Sequence, residues 1–104
     1  MTDIKRCRHL GEVRQHIDRL DKALLALLAE RTHYVRQAVT FKDRSQIVDE
    51  ERIASIIARM RMDAKAQGVD EDMVEGLWRK MIDDFIALEY KLFDGKKDSQ
   101  EDRM

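Results

Sequence analysis

The chain contains no proline, only four glycines, one cysteine and few aromatics in 104 residues. The lack of proline and glycine removes the turn punctuation that an all-β fold needs, and leaves a composition suited to helices. A single cysteine, Cys7, excludes an intrachain disulfide and does not point to an oxidising compartment, so a cytoplasmic protein is expected. Long apolar runs are missing too: nothing matches the core of a signal peptide or approaches the length of a membrane span. Charge of one sign is also missing. The formal net charge is −1 with acids and bases interspersed, which argues against a nucleic-acid face and against binding to an anionic membrane surface.

What is present is helical periodicity. Leu10, Val13, Ile17, Leu20, Leu24 and Leu27 recur at alternating spacings of three and four, one face of an α-helix that the pattern carries to about Phe41 or Lys42. Signals fade at Asp43-Arg44-Ser45-Gln46. Asp49 is placed to cap a second helix with Glu50 and Glu51 in its first turn, Ile53, Ile56, Ile57 and Met60 on its apolar face, and Gly68 as its stop. Asp70 caps a third helix, whose buried side is Val74, Leu77, Trp78, Met81, Ile82, Phe85, Leu88 and Leu92. Gly76, inside that helix, reads as a close-packing point. The expected organisation is therefore a flexible segment 1–9, a helical domain 10–94, and a charged, disordered tail 95–104 that begins at Gly95. The fold class is all-α, with one long and two shorter helices. Two helices of about 20 residues cannot cover one of 33, so a second copy of the chain is the simplest cover, in an intertwined homodimeric bundle.

Four charged residues break these apolar faces. Arg31 follows Leu27 by four and precedes Val35 by four. Lys42, eleven residues on, would be rotated only about 20° and advanced about 16 Å on a continuous helix. Arg14 adjoins Val13, and Glu89 lies four after Phe85 and three before Leu92. Structural ion pairs, such as Arg31 with Glu89 or Asp18, are one account of them. An anionic ligand is the other, since buried unpaired cations are costly. Without a glycine-rich loop, a small dicarboxylate fits better than a phosphate. Arg14 and Arg31 are 17 residues apart, about 25 Å along a helix, so one small ligand can meet both only if Arg14 comes from a partner chain. Metal is not expected, because His9, His16 and His33 form no ligand set. Neither Cys7 nor Ser45 has the setting of a nucleophile.

The run Val13-Arg14-x-x-Ile17-Asp18-x-x-Asp21, then Leu24-Leu25-Ala26-Leu27-Leu28-Ala29-Glu30-Arg31, then Lys42, resembles the all-α (AroQ-class, type II) chorismate mutase family. The resemblance covers the chain from about Cys7 to Phe93. It implies an intertwined three-helix homodimer that needs no cofactor and converts chorismate to prephenate. It further implies that Arg31 and a partner-chain Arg14 hold the two carboxylates, that Lys42 meets a carboxylate and the ether oxygen, and that Glu51 contacts the ring hydroxyl. Typical mutases carry an acid and then an arginine just before that glutamate. Ile47 and Glu50 stand there instead, with Arg52 as the nearest arginine. In this, in the short 42–51 segment, and in Tyr34-Val35, Phe41-Lys42 and Val74-Glu75-Gly76-Leu77, the chain looks more like isochorismate pyruvate lyase, the salicylate-forming branch. Glu89 aligns where many members have a glutamine that donates to the ether oxygen. A protonated carboxyl can donate in its place and an ionised one cannot. An acid there also fits relatives acting on 4-amino-4-deoxychorismate. The non-enzymatic reading is a helical dimerisation module with structural cations.

Overall fold

A computed structural model describes the backbone of residues 3–102 and the side chains of residues 3–95. It holds three helices, α1 (Leu10–Val39), α2 (Glu50–Ala66) and α3 (Glu71–Asp102), with a 3-10 turn at Arg44–Gln46 and no strand among the described residues. No helix is long and apolar enough to cross a membrane among these residues. The chain divides into two compact units, Met1–His33 and Tyr34–Met104, and the boundary falls inside α1 rather than in a linker.

In the first unit, residues 3–9 are without regular structure, and α1 starts where the Glu12 side chain accepts the Arg8 N–H at 2.9 Å. The stripe that dominates the sequence is not covered within the chain. Leu10, Ile17, Leu24 and Leu27 are each half or more exposed, and Leu20 nearly so. An isolated helix with that much apolar surface in water loses most of what would stabilise it.

The second unit is built on a hairpin of α2 and α3. Ile56, Ile57 and Ile82 form its buried centre, with Ile53, Met60, Trp78 and Ile86 packed around them. Both expected caps are made. The Asp49 carboxylate accepts the Arg52 N–H at 3.0 Å, and the Asp70 carboxylate accepts the Met73 N–H at 2.9 Å. Between the helices Gly68 adopts φ +72°, while its N–H bonds to Lys65 O and the Val69 N–H to Ala64 O. This pair of bonds satisfies carbonyls that the end of α2 would otherwise leave open, and the left-handed residue between them favours glycine. Arg61 bridges the connection by donating to Asp72 at 3.0 Å and Glu75 at 2.9 Å, and Glu75 also accepts from Arg79 at 2.6 Å.

Three expectations are corrected. α1 ends at Val39, short of Lys42, because Thr40, Phe41 and Lys42 bond back three residues instead of four and the Thr40 hydroxyl takes the Gln37 carbonyl at 2.7 Å. α3 does not stop at Gly95 but continues to Asp102. One glycine costs a helix about 1 kcal/mol and no proline follows to enforce a stop. Residues 103–104 of the expected tail lie outside the described residues. Gly76 is not a close-packing point within the chain, because a Cβ built on it meets nothing within 4 Å.

Candidate active site

The chemistry-bearing residues of the second unit gather around the turn that follows α1. Its two ends are fixed by burial, with Val39 4% and Ile47 3% exposed. Between them the backbone folds back on itself. The Gln46 N–H donates to Asp43 O at 2.9 Å, and the Gln46 side-chain carbonyl accepts the Asp43 N–H at 2.7 Å. The fold leaves Lys42 in a bend instead of on the helical stripe, so the helical offset from Arg31 does not apply to it.

From this bend Lys42 Nζ donates to Glu89 Oε1 at 2.7 Å. Glu89 is the buried charged residue among the described residues, 6% exposed, and the Lys42 side chain is 30% exposed. Glu89 reaches the bend because Phe85 and Leu88 turn the same side of α3 inward. The ammonium is thus anchored at one side and open at the other, where it can meet an anion. Its side-chain partner among the described residues is an acid, so a ligand carboxylate would compete with Glu89 for it.

Glu51, in the first turn of α2, lines a surface depression together with Phe41, Lys42, Gln46 and Val48. The structure therefore brings Lys42, Glu89 and Glu51 to one neighbourhood. Arg52, exposed, gives its backbone N–H to the Asp49 cap. Arg14 and Arg31 belong to the other unit. Arg14 is exposed and Arg31 half-buried on the continuous α1. The 17 residues of helix between them span about 25 Å. That helix holds them too far apart to grip one small ligand from one chain.

Sequence reasoning missed the companions of Lys42. Gln46 closes the bend, and Arg44 stands over the Tyr90 ring at 4.7 Å and 3.6 Å from Asp94. The signal was adjacency, since Arg44 is two residues past Lys42 and Tyr90 directly follows Glu89.

Comparison with known proteins decides the family. Residues 13–90 match chorismate mutase type II. The chain belongs to the chorismate mutase type II family. Among its relatives, the isochorismate pyruvate lyase of Pseudomonas aeruginosa is 34% identical over 86 residues, which cover 82% of this chain and 85% of that protein. The T-protein of Enterobacter agglomerans is 40% identical over 75 residues, covering 70% of this chain but only 20% of the relative. The matched segment of the chorismate mutase type II family takes in the Lys42 bend, the start of α2 with Glu51, and Glu89.

Proposed function

We propose that this protein is a cofactor-free pericyclic enzyme that rearranges chorismate to prephenate in the cytoplasm. The observation that carries this reading is Lys42, presented on the buried Glu89 beside Glu51, inside the family-matched segment. In the rearrangement one C–O bond of the enolpyruvyl ether breaks as a C–C bond forms, and no group from the protein enters the product. The protein's work is then to hold the substrate in its reactive conformer and to stabilise charge developing on the ether oxygen. Arg31 and Arg14 of the partner subunit would hold the two carboxylates. Lys42 would meet a carboxylate and the ether oxygen, Glu89 would support the same oxygen by donation when protonated, and Glu51 would take the ring hydroxyl.

The site needs a homodimer. The exposed apolar stripe of α1 supports that assembly, and so does the separation of Arg14 from Arg31. Mixing Arg14→Ala and Arg31→Ala chains is a direct test: each heterodimer should regain one intact site of its two. No recovered activity would refute the shared site.

A second reading, isochorismate to salicylate plus pyruvate, is favoured by the relative of that name that the chain matches over most of its length. There the same C–O bond breaks while a ring hydrogen passes to the enolpyruvyl methylene. One assay separates the readings: purified protein offered chorismate, isochorismate and 4-amino-4-deoxychorismate in turn. Loss of chorismate with prephenate formed supports the first, salicylate fluorescence the second, and turnover of the amino substrate alone a 4-amino-4-deoxychorismate mutase. No turnover of any would leave a non-catalytic helical dimerisation module.

A further inference from the structure

The bend that carries Lys42 touches α3 at two points. Lys42 rests on Glu89, and Arg44 rests on Tyr90 and Asp94, with its guanidinium carbon 4.7 Å from the ring centroid and Nη2 3.6 Å from Asp94 Oδ2. The first point is the one a substrate carboxylate would disturb, because it competes with Glu89 for the Lys42 amine. The second does not involve the amine. Burial holds the ends of the bend at Val39 and Ile47 but not its middle, where Phe41 is 86% exposed and Ser45 and Gln46 lie at the surface. Once Lys42 turns to a ligand, Arg44 supplies the side-chain hold on the middle of the bend.

We propose that Arg44 is a positioning residue: stacked on Tyr90 and paired with Asp94, it keeps the 40–46 bend on α3 so that Lys42 stays at the site as its amine exchanges Glu89 for substrate. What Lys42 then does rests on the function proposed above, whereas the hold on the bend can be measured without substrate. Both contacts are partly exposed, with Arg44 and Asp94 side chains 55% and 52% accessible. A solvent-accessible cation over a half-buried ring and a surface ion pair together correspond to about a fivefold change in the open population.

Amide hydrogen exchange at Gln46 and Ile47, whose N–H groups bond to Asp43 O and Arg44 O, reads that population directly. Arg44→Ala should speed both amides about fivefold and leave the Ile57 and Ile82 amides unchanged. Tyr90→Leu, which leaves the Asp94 pair in place, should speed them by a smaller factor of about two, and Tyr90→Phe, which keeps the ring face, should not. In turnover of whichever substrate the protein accepts, Arg44→Ala should raise KM by up to the same factor and hold kcat, because binding energy must then close the bend. Unchanged exchange in Arg44→Ala would overturn the proposal, and so would equal acceleration throughout the hairpin. Faster exchange with KM unmoved would overturn the link to Lys42. A wild-type protein that turns over none of the three substrates refutes the functional reading instead, and the exchange data still judge the hold.

Discussion

Removing the Lys42 ammonium should destabilise the protein more than neutralising the acid it holds. Glu89 is 6% exposed and its Oε1 lies 2.7 Å from Nζ, so Lys42→Met leaves a carboxylate in a buried position with that bond gone. Breaking a fully buried pair in this way costs about 3–5 kcal/mol. The Lys42 side chain is 30% exposed, which lets water approach the orphaned acid and lowers the expected cost to about 2 kcal/mol. For a domain of this size that is a fall in Tm of about 10 °C. Glu89→Gln keeps an oxygen to accept from Nζ and should cost less than about 1 kcal/mol. Combining the two should be cheaper than their sum by about 1 kcal/mol, because an unpaired amide is easier to bury than an unpaired carboxylate. The assay is denaturant unfolding of ligand-free protein at one fixed chain concentration, since self-association through the α1 stripe would shift apparent stability. A Lys42→Met loss within the 0.5 kcal/mol or so of an ordinary surface substitution would refute the reasoning, as would a larger loss for Glu89→Gln.

Gly68→Ala should cost about 1 kcal/mol, because φ +72° places a Cβ against the following carbonyl, and thermal unfolding with Gly68→Asn as the milder control will show it. Gly76→Ala should stabilise the chain by about 1 kcal/mol, since the added methyl meets nothing within 4 Å, and a loss of stability or of self-association would show that another copy's atoms fill that space. Glu75 titrates below its ordinary value near 4.5, chiefly because Arg79 donates to it and then because Arg61 does, against an opposing effect of burial. Its folded value being the lower, its contribution to stability is complete above the unfolded value and is lost as pH falls through the folded one. Unfolding midpoints followed down from pH 6 should therefore drop less steeply in Glu75→Gln than in wild type, and parallel curves would contradict the assignment.

The helices were legible because they follow from local chemistry. The caps at Asp49 and Asp70, the stop at Gly68 and the isoleucine faces that became the α2–α3 core are each written within a few residues. The end of α1 was less legible, because the tightening at Thr40 to Lys42 depends on side-chain competition for a carbonyl, which an apolar period does not register. The continuation of α3 past Gly95 was misjudged for the opposite reason: a lone glycine weakens a helix without ending it.

The pairing of Lys42 with Glu89 could not be read at all from pattern. Forty-seven residues separate them, and the sequence allowed Glu89 to answer Arg31 as readily. The fold ends α1 early, so that Lys42 leaves the stripe and enters a bend from which it donates to Glu89 on α3. Arg14 and Arg31 remain on the helix, held about 25 Å apart by its rise. The proposed site therefore combines two kinds of part. Lys42, Glu51 and Glu89 come from one hairpin and its bend, and their mutual placement survives in a single chain. The arginines lie on a helix whose apolar stripe a single chain leaves exposed, so the surface proposed to mediate assembly also carries the groups that would bind the substrate's carboxylates. On this reasoning dilution below the dimer dissociation constant should abolish carboxylate binding and leave the Lys42–Glu89 pair intact. The Gln46 and Ile47 amides would then stay as protected as before while activity vanished.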